Sequence, residues 1–465
     1  MLKGDRLFNG FLALLIWAPL PFGSNRPWAA SIIEVWVFAL SAIWLRQYAS
    51  DERSVTEAFR NAKPVLALMV IWMLYGFLQV LPLPAGIVSL ISPTAAHMHQ
   101  LAGNSAWMTI SVDVHESLSA CLRTMAYLLA FCLCLLLAEG EARIRALAYT
   151  LVFSALFQAF YGSTMMLSGL DLGFFIHKYS YLDQATGTYI NRNHLAGYLE
   201  MCIPVGIGLM ISMLRDSDGR TGRQKFRQFV RTLLGQKLRL RLYLAVMVIA
   251  LVLTHSRMGN AAFFFSLLAA GLLGLMARNA PRSLVVLLVS LVLIDIVIVG
   301  TWFGMEKVVH RLENTSMVHD AGRVDVTQNS IRLWRDYKLT GSGGGSFYTV
   351  FPAYRTRDIA SYYDHAHDDY IEIASEYGGA GIMILGLIVL FSLVAALKGL
   401  FRRRNPLAKG MAFSAVMGII SLMIHGFVDF NLQIPANALT FMVVMSLGWI
   451  SHRAEREKNN SLEKM

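Results

Sequence analysis

Apolar residues cluster along this chain in runs about 20 long, the length a helix needs to cross roughly 30 Å of hydrocarbon. About twelve such runs stand out on hydropathy, near 7–22, 28–46, 64–81, 118–138, 145–167, 195–214, 242–256, 259–277, 283–303, 379–398, 408–427 and 433–451. The pattern predicts an all-α polytopic membrane protein. Its segments would be an N-terminal bundle of about nine helices over 1–303, a large periplasmic loop with an amphipathic helix over 304–378, and C-terminal transmembrane helices with a cytoplasmic tail over 379–465. The first run follows Lys3 and Arg6 with no small-residue cleavage site after it, which reads as an uncleaved signal anchor.

Basic residues set the expected orientation. With the N-terminus in the cytoplasm, every second loop is rich in Lys and Arg: Arg46 to Lys63, Arg143 with Arg145, Arg215 to Arg241, Arg278 with Arg282, and Lys398 to Lys409. The tail from Arg453 is basic too, so both ends are expected inside. The sequence is 55% hydrophobic and 15% charged, against about a quarter charged in soluble proteins. The formal charge of +11 is largely on this inner face, beside anionic headgroups, and implies membrane lipids rather than nucleic acid as partner. The stretch 215–241 reads as a membrane-surface helix or topology anchor. Cys121, Cys132, Cys134 and Cys202 all fall inside spans, with no disulfide framework and no metal spacing.

The unusual polar residues fall mostly on the outer face. The 304–378 loop holds Gly322-Arg323, a helical-looking Asn329 to Leu339, and the run Gly341-Ser342-Gly343-Gly344-Gly345-Ser346-Phe347. That run reads as a turn, because no Gly-Lys-Ser/Thr follows to make a phosphate loop. Next comes His365-Ala366-His367-Asp368-Asp369-Tyr370-Ile371-Glu372, continuing to Glu376 and Gly378-Gly379. On a helix His365, Asp369, Glu372 and Glu376 would form one polar stripe, in a surface helix that bends at the glycines and enters the bilayer. A solvated junction is the plainer account. Ionisable groups beside hydrocarbon are costly, however, and usually functional. Further outer clusters are Asn191-Arg192-Asn193-His194 with Glu200 two turns on, His255-Ser256-Arg257, and His425 with Asp429. Each Arg alone could be a snorkelling anchor. His425 and Asp429 fit a structural ion pair as well as a substrate contact.

Taken in order on one face, these stretches resemble the O-antigen ligase and polymerase family of bacterial envelope glycosyltransferases. The likeness rests on Gly187 to Glu200 (GTYINRNHLAGYLE), His255-Ser256-Arg257, Gly341 to Phe347 after Arg323 and Trp334, His365 to Gly381 (HAHDDYIEIASEYGGAG) and Phe427 to Ala436 (FVDFNLQIPA). It spans roughly 180–440; the first third agrees in hydropathy only. The resemblance implies a lipid-sugar glycosyltransferase (GT-C-like) fold in the bacterial inner membrane, an undecaprenyl-diphosphate-linked glycan donor, a sugar acceptor, and no metal or cofactor. It implies that Arg192 and Arg257 bind the diphosphate, with Arg323 a further candidate, and that His367 is the base. Where the family has His followed by Asn, this chain has Asp368. His365, Asp368 and Asp369 join the catalytic candidates; Asn193, His194, Glu200, Glu376, His425 and Asp429 are candidate substrate contacts.

The chemistry supports that assignment independently. An acceptor hydroxyl must lose a proton as it attacks the anomeric carbon, and a positioned imidazole is a competent base. Asp368 or Asp369 would orient it. A diphosphate leaving group needs charge stabilisation rather than a proton, and Arg supplies it bidentately. In-line attack predicts inversion. A ligase would use lipid A–core as acceptor, a polymerase a second lipid-linked glycan, and a protein O-oligosaccharyltransferase a polypeptide. Arg332 and Gly343 fit an Arg-ten-residues-Gly spacing of polymerase-like members. A transporter or lipid-glycan flippase is the competing class, but the polar residues crowd one face rather than the midplane. A metal enzyme using His365, His367, Asp368 and Asp369 is the other.

Overall fold

A computed structural model describes residues 5–103, 106–174, 176–214, 236–277, 316–356 and 363–452, with Val285 and Val289; of Gln236 and residues 316–324 it describes the backbone alone. Nearly everything described is helical. The main helices are α1 (Arg6–Trp17), α2 (Pro27–Ala49), α3 (Lys63–Val80), α4 (Ala85–Ile91), α5 (Pro93–Leu101), α6 (Val114–Leu137), α7 (Gly140–Leu167), α8 (Arg192–Ser212), α9 (Gln236–Leu253), α10 (Arg257–Met276), α11 (Ser316–Asp336), α12 (Asp369–Arg402), α13 (Pro406–His425) and α14 (Pro435–Ser451). Two antiparallel ladders of two residues per strand, Leu83–Pro84 with Trp107–Met108 and Leu172–Gly173 with Ile176–His177, are the small departure from an all-α chain.

Among the described residues, eight helices are long and apolar enough to cross a membrane: α2, α3, α6, α7, α8, α10, α12 and α13. The protein is a multi-pass membrane protein. Of the other expected spans, α1 and α14 are shorter apolar helices, α9 opens with Lys237, Arg239 and Arg241, and the 283–303 run lies outside the described residues but for Val285 and Val289. The expected surface helix over 215–241 is described only from Gln236, where it is the start of α9.

The bundle is built around α8 and α13, whose apolar windows are 89% and 78% buried. Gly208 and Gly410 let them touch: a Cβ on either would run into the backbone carbonyl of the other. In a bilayer, where lipid is as apolar as leucine, such small-residue contact is a main source of helix association. At one end of the bundle Asp5 takes Arg53 at 2.7 Å and Arg143 at 2.8 Å, gathering three segments that the charge pattern assigns to one face. At the other end a second core of Val88, Ala95, Met108, Val326, Phe347 and Ala366 joins the α3–α6 loop to the large loop.

α12 is two helices in one. Asp368 caps its start, accepting from the Tyr370 and Ile371 N–H groups at 2.9 and 3.0 Å. At Gly378 the backbone turns through φ 66°, ψ −171°, a conformation almost confined to glycine. This is the bend the sequence predicted. The polar stripe differs from expectation. His365 lies ahead of the helix, and Asp369, Glu372 and Glu376 are buried rather than solvated.

Candidate active site

Three imidazoles meet one aromatic ring. Phe430, in the α13–α14 connection, stacks on His365 at 4.3 Å between centroids and 22°. It meets His367 edge-on at 4.8 Å and His194 edge-on at 4.7 Å. The large loop, the start of α8 and the α13–α14 connection therefore converge on one ring. His367 holds a left-handed backbone at φ 54°, a conformation that costs a non-glycine residue about 1–3 kcal/mol and clusters at functional sites.

Each nearby carboxylate has a distinct task. Glu372 is buried; its Oε1 lies 2.7 Å from His365 Nδ1 and its Oε2 accepts the Ala366 N–H at 2.7 Å. Burial works against a charge on His365, but Glu372, Asp364 and Glu376 outweigh it and lift its pKa to about 9. His365 is therefore an imidazolium at neutral pH. Asp369 is pinned: both carboxylate oxygens lie 3.2 Å from the Leu432 N–H, and its own N–H donates to Gly426 O and Asp429 O. Asp368 is the helix cap, and burial with nearby Glu372 raises its pKa against the pull of its two backbone donors. Glu376 accepts the Phe347 N–H at 3.1 Å, and its carbonyl takes Gly343 N–H and Gln79 Nε2. It ties the glycine run to the bend in α12.

Asp429 is the carboxylate turned toward the histidines. It is fully buried, its Oδ1 is 3.7 Å from His194 Nε2, and its Oδ2 accepts no hydrogen bond among the described residues. Burial alone would raise its pKa. Its side-chain interaction with His194, with smaller contributions from His425 and His367, overcomes that and holds it well below the ordinary range. Behind it, Glu200 Oε1 lies 2.8 Å from His425 Nδ1, and Glu200 Oε2 accepts the Ser421 hydroxyl at 2.8 Å.

The two arginines sit at neighbouring helix starts. Arg192 opens α8, capped by Asn191 Oδ1 on the Asn193 N–H at 2.9 Å, with its guanidinium 5.9 Å from the Tyr181 ring. Arg257 opens α10, is exposed, and is capped by Ser256 Oγ on the Gly259 N–H at 3.2 Å. The helices are in contact there, since a Cβ on Gly259 would fall 2.7 Å from Ala196 Cβ and 2.9 Å from Glu200 Oε1. Two guanidiniums and two positive helix ends thus lie on one side, a favourable place for an anion. Asn193 is buried at the same start, and Asn437 Nδ2 holds His194 O at 2.9 Å. The side chain of Arg323 lies outside the described residues.

The structure thus brings together His194, His365, His367, Asp369, Glu372 and Asp429, with His425 and Glu200 behind. It gives Asp368 and Glu376 to capping and loop tying. Phe430, the hub, was not among the sequence candidates; its signal was an aromatic between Asp429 and Asn431 inside a motif already noted. Among the described residues no group of three His, Cys, Asp or Glu side chains is placed to hold a metal ion. A cleft of about 890 Å³ lined by Thr56, Arg60, Glu139, Glu141 and Asn405 is separate from this cluster.

The described residues form a multi-pass helical bundle whose large loop brings His365 and His367 into a polar cluster with α8 and the α13–α14 connection. Residues 242–386 match the family model of the O-antigen ligases, and the resemblance drawn from the motifs holds there. That stretch includes Arg257, the glycine run, His365 and His367; Arg192, Glu200 and Asp429 lie outside it. No curated protein matches the chain.

Proposed function

We propose that the protein transfers a glycan from undecaprenyl diphosphate to a sugar hydroxyl on the periplasmic face of the bacterial inner membrane, with both termini cytoplasmic. The fold is then of the GT-C-like lipid-sugar class, with about twelve spans. The observation that carries the reading is the convergence of His367, His365 and His194 on Phe430, with Asp429 3.7 Å from His194, beside the helix starts of Arg192 and Arg257.

His367 is the base. His365 already carries a proton held by Glu372, so it serves as a fixed positive charge. Asp429, rather than Asp368 or Asp369, is the carboxylate that stabilises the imidazolium formed on His367. The acceptor oxygen bonds to the anomeric carbon as the bond from that carbon to the diphosphate oxygen breaks. The hydroxyl proton goes to His367 and undecaprenyl diphosphate departs. Arg192 and Arg257 take up the charge developing on the diphosphate, a preorganised electrostatic role that needs neither metal nor cofactor. Attack opposite the leaving group inverts the anomeric centre.

The test is complementation of a deletion strain with wild type, His367→Ala and Arg257→Ala at matched membrane levels. Loss of polymer with accumulation of lipid-linked glycan in both variants supports the reading; normal polymer in both overturns it. The accumulated species also names the acceptor class. Long lipid-linked chains mark a ligase, and single repeat units mark a polymerase.

A further inference from the structure

The α4–α5 hairpin sits outside the spans, yet its surface is apolar. Ile87 and Leu90, three apart on α4, are 47% and 81% exposed; Met98 and Leu101, three apart on α5, are 36% and 72% exposed; and Trp107 is 61% exposed. The opposite sides are covered: Val88, Ala95 and Ala96 are buried in the core shared with the large loop. No Asp, Glu, Lys or Arg occurs between Lys63 and Asp113. A water-facing hairpin of this length would be expected to carry charge, and an exposed apolar patch rimmed by polar residues marks a protein or membrane contact.

Continuity decides between those two partners. α3 exposes Leu74 and Leu78 along its length, at 56% and 41%, and Leu81 just past its end, at 51%. Leu83 then pairs with Met108, and α4 begins at Ala85. The exposed strip of the hairpin thus continues the lipid-facing strip of a span within a few residues. At that depth the neighbour is the headgroup–acyl boundary, where Trp is favoured and apolar helix faces bury themselves.

We propose that α4 and α5 lie on the outer leaflet, with Ile87, Leu90, Met98, Leu101 and Trp107 in contact with lipid. The contact depends on the chain spanning a bilayer, and its assignment to the outer leaflet on the orientation proposed above, but neither depends on the proposed chemistry. It has a consequence for that chemistry, because Thr94 Oγ1 donates to Asp336 O at 3.0 Å and Ala366, between His365 and His367, is buried in the same core as Val88 and Ala95. A hairpin seated on lipid fixes the height of the two histidines above the membrane, where a lipid-borne diphosphate emerges.

The test places a fluorescent thiol label at Leu90→Cys, Leu101→Cys, Leu78→Cys and Gln328→Cys in the full-length protein in phosphatidylethanolamine–phosphatidylglycerol nanodiscs. The unsubstituted protein measures background from its own four cysteines. Position 78 reports a span and position 328 an exposed site on α11. Labels at 90 and 101 are expected to be quenched by nitroxide lipid to within roughly twofold of position 78 and shielded from iodide, with position 328 the reverse. Quenching of 90 and 101 by iodide and not by lipid overturns the proposal. Shielding from both quenchers also overturns it and assigns the face to a second copy of the chain. A transferase-dead protein with lipid-quenched labels would leave the contact standing while removing the proposed function.

Discussion

Nδ1 of His425 lies 2.8 Å from Oε1 of Glu200, and neither side chain is more than 1% exposed. The pair joins two enclosed helices, α8 and α13, at the level where Gly259 of α10 presses on Glu200. Removing one member leaves the other buried without its partner. Breaking a buried pair this way costs about 3–5 kcal/mol, whereas replacing both members with apolar residues is often near neutral. Glu200→Leu and His425→Leu are each expected to lower the unfolding temperature in detergent sharply, and the double variant to recover much of the loss. Simple additivity of the two losses would show that the contact contributes nothing.

His365 gives a pH dependence with a defined sign. Its folded pKa, about 9, lies above the ordinary histidine value of 6.5. The folded state therefore binds the proton more tightly. The stability this supplies is fully present below about pH 6.5 and is lost as pH rises through about 9. Unfolding temperature should fall between those values, and His365→Gln should flatten that slope. An unchanged slope in the variant would mean that some other group titrates there.

Asp429 and Asp368 separate a catalytic field from a helix cap. Asp429→Asn removes the charge facing His194 in a volume almost unchanged. It is expected to lower kcat by roughly 10²–10⁴, the range assigned to general-base assistance, with KM for the lipid-linked donor little altered. Asp368→Ala loses only the bonds to Tyr370 and Ile371, which costs about 1 kcal/mol of stability and leaves turnover nearly intact. The reverse pattern would return the role to Asp368.

Much of this was legible in the sequence because it rests on local rules. Span positions follow from hydropathy, and the bend in α12 from Gly378-Gly379. The gathering of the polar motifs on one face follows from alternating charge. What stayed hidden depends on contacts distant in the chain. A stripe spacing of four, three and four suggested that His365 shares a helix with Asp369. It could not show that Asp368 would cap that helix and leave His365 outside it. Nor could adjacency reveal that Asp429, some 60 residues on, lies 3.7 Å from His194 within the same cluster. Helix length at the ends was also hidden, because apolar content alone does not separate a 12-residue helix such as α1 from a longer one.

Gly378 is an exacting position. Its φ of 66° with ψ −171° falls where residues with a Cβ are strained, and a Cβ there would collide with the Leu339 carbonyl and the Thr340 nitrogen. Both obstacles are backbone, so no rotamer change relieves them. The bend also lets Gly379 N–H donate to Lys338 O at 2.8 Å, next to the bonds from Ser342 and Gly343 N–H to the last turn before the bend. Straightening α12 would pull the glycine run away from Glu376 and carry the large loop with it. Gly378→Ala should therefore reduce the folded yield in membranes far more than Gly386→Ala, on the same helix, where a Cβ meets nothing within 4 Å. Gly386→Ala should instead stabilise the helix slightly, by up to about 1 kcal/mol. Equal yields of the two variants, measured by fluorescence-detected size exclusion, would show that the bend is dispensable.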